Sequence, residues 1–251
     1  MDRVKKVLSV WQKKGRIRPA IRITLQSGLL EGNSSMIEAQ KLPSFLVSGY
    51  RAWKATTYIE NKSWYHHLAE QGQHPRSMII ACCDSRVHVE ALFNADAGEF
   101  FIHRNIANLV PPYRPDGQNQ GTSAAVEYGV TVLRVAHLVV LGHSNCGGIR
   151  GCYDICCGNI SEADVKASFV GRWLGNLRPG YENVASIEDP EERISELERE
   201  GIRISLGNLM TFPFVRSAVE AGTLTLHGLW KDIGDGRLDY LDPDTGTFLP
   251  V

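Results

Sequence analysis

The chain has 251 residues, 43% hydrophobic and 22% charged, with a formal net charge of −1. That composition suits one sizeable soluble domain with a buried core and excludes a disordered or collagen-like chain. A charge balance so near zero gives no global pull toward nucleic acid, which is not expected as a partner.

The charge is nevertheless uneven. Residues 1–35 carry eight basic side chains (Arg3, Lys5, Lys6, Lys13, Lys14, Arg16, Arg18 and Arg22) against Asp2 and Glu31. Val4, Val7, Leu8 and Trp11 fall at helical spacing there, so a short basic amphipathic helix is predicted. Two readings stand for it: an extension of unknown role outside the fold, or a membrane-surface or targeting element. A single α/β domain is expected over 36–251. No apolar run reaches the roughly 18 residues of a membrane span, and no signal-peptide core is found, so a cytoplasmic protein is expected. In that compartment the six cysteines (Cys82, Cys83, Cys146, Cys152, Cys156, Cys157) stay reduced. Reduced thiols point to metal binding or catalysis before disulfides.

Residues 45–72 read as helical, a proline-free stretch with Phe45, Tyr50, Trp53, Tyr58, Trp64 and Leu68 along it. The segment 71-QGQHP-75 breaks it, and 78-MIIAC-82 reads as a buried strand. A short helix is predicted at 88–93 and a second strand at 99–105. After a Pro/Gly-rich loop at 111–121, Thr122 or Ser123 can cap a helix to about Leu133, its apolar face carried by Ala125, Val126, Val130 and Leu133. The third strand is 137-HLVVLGH-143, running into 143-HSNCGGIRG-151. Asp189 as N-cap, Pro190 in the first turn and Glu192 start a helix through 191–200, and a second is predicted over 203–220. The tail at 223–233 alternates, with turn residues at 234–236 and 243–246, which reads as antiparallel hairpin strands. The order argues for an α/β fold: a mostly parallel central sheet flanked by helices, with an N-terminal helical arm and a C-terminal antiparallel hairpin.

In an open parallel sheet, ligands bind outside the carboxyl ends of the strands where strand order reverses. Cys82 closes the first strand here, and His143 with Cys146 closes the third. Two thiolates and an imidazole are a borderline-soft set that suits Zn²⁺. Consecutive strand residues point to opposite faces, so Cys83 is expected as a packed thiol rather than a ligand. Asp84 and Arg86 share the Cys82 side. A solvated surface pair is the ordinary reading of such a couple. Beside a metal ligand, the carboxylate can orient a reacting water while the guanidinium holds it. Gly147 and Gly148 are expected to permit close backbone approach.

Cys-x-Asp-Ser-Arg at 82–86 with His-x-x-Cys-Gly-Gly at 143–148 resembles the β-class carbonic anhydrases. The likeness extends over about 45–235 through 98-GEFFIHRNIANLVPPY-113, 121-GTSAAVEYGV-130 and 138-LVVLGHSNCGGIRG-151, and the Pro-Pro-Tyr loop is most similar to the plant-type branch. The resemblance implies one zinc per subunit on Cys82, His143 and Cys146, and reversible hydration of CO₂ to bicarbonate and a proton through zinc-bound hydroxide. It gives Asp84 the role of orienting group or, in a closed form, fourth ligand, with Arg86 engaging it. It further implies a substrate pocket of Gln73, Val87, Phe101, Ile106 and Tyr128. It implies a homodimer or higher homo-oligomer too, whose subunit interface borders that pocket. Where a subset of the family has a tryptophan that helps form an inhibitory bicarbonate site, this chain has Ile79, so that regulation is not expected.

Two other functions compete: a structural zinc site closed by Asp84, and a hydrolase of CS₂ or COS using the same metal chemistry. His66, His67, His74, His88, His103, His137 and His227 are expected to be structural or solvated. Cys152, Cys156 and Cys157 are expected as packed free thiols, with a second metal site the alternative.

Overall fold

The computed structural model describes residues 40–117 and 120–251. The chain divides into two units, Met1–Ala52 and Trp53–Val251, and of the first only residues 40–52 are described. The basic helix expected within 1–35, and the domain boundary expected at its end, lie outside the described residues.

The stretch 45–72 expected as helical holds three helices, α1 (Ser44–Ala55), α2 (Thr57–Glu60) and α3 (Lys62–Gln71), and none of their residues is buried. The breaks fall at Thr56 and Asn61. Asn61 turns its side-chain amide back to the Thr57 carbonyl at 2.9 Å, the local competition with backbone bonding that disfavours these residues inside helices.

The sheet has six strands: β1 (Ser77–Cys82), β2 (Phe100–Asn105), β3 (His137–His143), β4 (Thr225–Lys231), β5 (Leu238–Leu241) and β6 (Phe248–Pro250), in the order β2-β1-β3-β4-β5-β6. The first four pair in parallel, and β5 and β6 run antiparallel. The expected hairpin is present, and its first arm, β4, is also the fourth parallel strand. Alternate residues of β1 and β3 face opposite ways. Met78, Ile80, Leu138 and Val140 join one buried cluster, while Ile79, Ala81, Val139 and Leu141 join another. A sheet covered on both faces explains why these strands read as continuous apolar runs. From β1 the chain steps to β2 on one side, then crosses to β3 on the other. Strand order therefore reverses between β1 and β3, and a crevice opens outside their carboxyl ends.

The helices after α3 run in chain order. A single turn, α4 (Val89–Leu92), follows β1, and α5 (Gln120–Glu127) continues as a π-helical turn over Tyr128–Leu133. Thr122 and Ser123 lie inside α5 rather than capping it. The Thr122 hydroxyl is engaged elsewhere, 3.0 Å from His103 Nε2 and 3.3 Å from Asn105 Nδ2 on β2. Four helices fill the stretch after β3: α6 (Gly147–Cys156), α7 (Glu162–Ala167), α8 (Phe169–Leu174) and α9 (Arg178–Val184). Asp189 caps α10 (Pro190–Leu209) by accepting the Glu192 N–H at 2.7 Å. This helix passes through the break expected near 201, because Gly201 lies against Ile149 and Leu177, where a Cβ would sit 3.3 and 3.4 Å from them. Its end comes at Met210, and α11 (Pro213–Glu220) begins with the next proline.

Candidate metal centre

Cys82 ends β1 and His143 ends β3, neighbouring strands, so topology brings both to the crevice. Cys146 follows a tight turn in which Asn145 takes a left-handed φ of 57°. The donor atoms of Cys82, His143 and Cys146 all lie within 4.8 Å of one another, and all three residues are buried. Among the described residues this is the only such group of three or more His, Cys, Asp or Glu donors. The two sulfurs are 3.9 Å apart. A tetrahedral ion with Zn–S bonds of about 2.3 Å would set them about 3.8 Å apart.

The imidazole is prepared in the same sense. His143 Nδ1 lies 2.9 Å from the Ser144 carbonyl, which assigns the ring proton to that nitrogen and leaves the Nε2 lone pair free. Nε2 is buried with no hydrogen-bond partner among the described residues, an uncommon condition for a polar atom that a cation relieves. The two thiols lie within hydrogen-bonding reach of each other, and that contact lowers the pKa of the Cys82 thiol while it raises that of Cys146. A cation shared by both sulfurs favours the thiolate form of each. Donor set, spacing and protonation all fit zinc.

Asp84 and Arg86 stand beside this group. Arg86 Nε donates to Asp84 Oδ1 at 2.9 Å and its Nη2 to Oδ2 at 2.7 Å, while the Arg86 backbone N–H donates to Oδ1 at 2.9 Å. Arg86 also reaches the Asn145 carbonyl at 3.0 Å, tying the β1 loop to the turn before Cys146. The hydrogen bonds from Arg86 hold the Asp84 carboxyl well below the usual carboxylate range. Asp84 Oδ2 is 4.0 Å from the bare His143 Nε2, so an ionised oxygen borders the donor group without belonging to it.

Cys83 is not among the donors, and it is exposed rather than packed. Beyond Cys82 the chain leaves the sheet, so the packed layers of the fold do not take up that side chain. Of the other thiols, Cys152 is buried and Cys156 half-buried, while Cys157 is exposed rather than packed, because it follows the last residue of α6 and leaves the packed face.

Three supporting residues carried no signal in the sequence. Arg104 on β2 donates to the carbonyls of Cys82 at 2.8 Å and Asp84 at 2.7 Å, fixing the loop that carries Asp84. Asn105 clamps the next turn, its amide giving and taking hydrogen bonds with the Leu109 backbone at 2.8 and 2.9 Å. Glu198, 3% exposed on α10, accepts the Cys146 N–H at 3.1 Å and the Trp230 indole N–H at 3.2 Å. Burial pushes its carboxyl pKa up against these two bonds.

The remaining expected pocket residues separate into two sets. Ile106 directly follows Asn105, the ladder partner of Cys82, and its side chain is exposed. Val87 is 1% exposed and packs among Ile79, Ala81 and Val89. At Gly148 a Cβ would meet Ala107 Cβ and Ile106 Cγ2 at 2.9 Å, so the expected close approach is found there. At Gly147 a Cβ would meet nothing within 4 Å, so that residue faces open space. Gln73, Phe101 and Tyr128 lie elsewhere. Gln73 is exposed ahead of the start of β1, and Phe101 pairs with Met78 near that start. The Tyr128 ring lies 5.7 Å from Phe101. From Ser77 to Cys82 a strand spans about 16 Å, so these three occupy the opposite end of the sheet from the donors.

Comparison with known proteins agrees with this geometry. A family model described as carbonic anhydrase matches residues 77–238. The chain is 34% identical over 252 residues to beta carbonic anhydrase 3 of Arabidopsis thaliana, covering 98% of this chain and 95% of that protein. It is 36% identical over 208 residues to a carbonic anhydrase of Pseudomonas aeruginosa, covering 82% and 90%. Among solved structures, the β-carbonic anhydrase CcaA superposes with a TM-score of 0.74 at 28% identity, over 82% of this chain and 91% of that one. A tetrameric β-carbonic anhydrase from Sordaria macrospora gives 0.68 at 30% identity, over 82% and 97%.

Proposed function

The chain belongs to the β-class carbonic anhydrases and is a carbonic anhydrase, and from that premise we propose that it hydrates CO₂ reversibly at a zinc site built by Cys82, His143 and Cys146. A zinc ion held there supplies Lewis acidity that makes water ionise near neutrality, somewhat to the alkaline side when two thiolates offset its charge. The observation that carries the reading is the buried, partnerless His143 Nε2, with the Asp84 carboxylate 4.0 Å away.

Each residue of the chain then has a task. Asp84, ionised because Arg86 grips both its oxygens, accepts a hydrogen bond from the water that is to react and aims its lone pair. While Arg86 holds it, the Asp84 carboxylate is engaged away from the donor group; for it to serve as a further ligand that pair would have to break. Arg104 prevents the Asp84 loop from shifting. Ile106, exposed next to the ladder partner of Cys82, supplies apolar surface for CO₂, while Val87, buried beside Arg86, backs the loop from the core.

Gln73, Phe101 and Tyr128 cannot reach this centre along their own sheet, so they serve the pocket of a neighbouring subunit in a homo-oligomer. There Gln73 can donate to the bicarbonate oxygens. Support for assembly comes from the tetrameric Sordaria relative.

Stopped-flow CO₂ hydration on metal-quantified protein tests this. One zinc per chain and a rate rising between about pH 6 and 9 are expected. Asp84→Asn should keep its zinc and lose turnover by roughly a hundredfold or more. Zinc without hydration at any pH, or full activity in Asp84→Asn, would overturn it.

A further inference from the structure

A cavity of about 300 Å³ opens between α6, α7 and α8, away from the crevice described above. That volume sits at the small end of the range for ligand pockets. Its walls are apolar, with Ile155, Ile160, Val165 and Leu174, and two thiols, Cys152 and Cys156, line it from α6.

Its mouth is cationic. Lys166, Arg172 and Arg178 stand there against one acid, Glu162. Glu162 pairs with Lys166 at 3.5 Å, and Arg172 bonds the Lys166 carbonyl and lies over the Phe169 ring. The exposed Arg178 side chain has no hydrogen-bond or ion-pair partner among the described residues, and it acts on the Cys152 thiol through its charge. The cavity therefore offers thiol, apolar wall and an unpaired guanidinium together. An anion alone would account for the cation but not for the sulfur.

The geometry points to Cys156 as a modification site that forms a mixed disulfide with a small anionic disulfide, drawn in by Arg178. Cys156 is the available thiol, being half-buried, whereas Cys152 is 1% exposed and donates to the Leu174 carbonyl. The Cys156 thiolate attacks one sulfur of the disulfide. The bond to Cys156 forms as the reagent's S–S bond breaks, and the departing thiolate carries off the electron pair and takes up a proton. The disulfide is thus the oxidant, and one half of it leaves reduced. Cys152 does not resolve the adduct. Residues four apart on a helix have Cβ atoms about 5–6 Å apart, beyond the roughly 3.5–4.5 Å that a disulfide spans. With α6 intact, the mixed disulfide is the end product.

The test treats zinc-loaded full-length protein with dithiodipropionate, which carries two carboxylates, or with neutral hydroxyethyl disulfide. Adducts are located by peptide mass spectrometry. Each rate is normalised to that reagent's rate with a free thiol. The adduct is expected at Cys156, with the anionic reagent favoured roughly two- to fivefold. That preference should vanish in Arg178→Gln, persist in Arg178→Lys, and shrink in wild type at high salt. Cys156→Ser should remove this adduct and leave labelling of Cys83 and Cys157 unchanged. Adducts confined to Cys83 or Cys157 would overturn the proposal, as would a Cys156 rate ratio that is the same in wild type and Arg178→Gln.

Discussion

Glu198 shows how much a single side chain can hold at the metal centre without being near the chemistry. Its two oxygens accept the Cys146 N–H and the Trp230 indole N–H in a setting 3% exposed. Glu198→Ala leaves both donors buried and unpaired, so a loss of about 2–4 kcal/mol of stability is expected in urea denaturation. Glu198→Gln keeps one acceptor oxygen and should fall between alanine and wild type. Nothing in 195-SELERE-200 announces this residue, because a charged helix shows its inward positions only once the partner surface is known. Cys82, His143 and Cys146 were legible because metal chemistry demands those residue types at or just past strand ends, and Asp84 with Arg86 because an acid–base couple stands beside the first of them. Arg104 and Asn105 were not, since their work is done through backbone carbonyls and amides that any sequence supplies.

At the scale of elements, the contact between the β2 turn and the start of α6 is the tightest joint of the site. Gly148 allows it, with Ala107 held at a left-handed φ of 62° directly opposite. Gly148→Ala should cost about 1–3 kcal/mol in denaturation, because the atoms a methyl would meet include Ala107, whose backbone has no freedom to yield. A second joint, between β2 and α5, titrates. Burial lowers the pKa of His103, whose Nε2 lies 3.0 Å from Thr122 Oγ1. The unfolded chain therefore binds a proton that the folded one refuses. The contribution is full above the unfolded value of about 6.5 and is lost as pH falls from there through the lowered folded value. His103→Gln should flatten the acid limb of a stability-against-pH curve; an unchanged limb would show that other groups set it. The strands were readable from their apolar runs and α10 from its Asp-Pro start. The helices α7 and α8 were passed over despite Ser161 and Ser168, which cap them by accepting the Asp164 and Gly171 N–H groups. Helices of six residues are too short for apolar periodicity to register, so only their caps could have given them away.

For the whole molecule, the question is how the proposed pocket can draw on residues from both ends of one sheet. Gln73 and Phe101 lie toward the start of β1 and β2, and the donors lie past the carboxyl ends of β1 and β3. The separation of about 16 Å along a strand is fixed by backbone geometry and cannot be closed by side-chain motion. The proposed homo-oligomer resolves it if a two-fold axis sets the start of one sheet against the carboxyl end of its neighbour. That arrangement makes a sharp prediction about mixtures. Gln73→Ala and Asp84→Asn should each lower CO₂ hydration when assembled alone. If every pocket takes Asp84 from one chain and Gln73 from another, a hybrid pair holds one pocket with both residues intact and one with both altered. Dissociating and reassociating the variants in equal amounts should restore about a quarter of wild-type activity, since random pairing makes half the dimers hybrids with one intact pocket each. No recovery, with hybrids verified by native mass spectrometry, would mean that Gln73 does not act in a pocket formed with Asp84 of another chain.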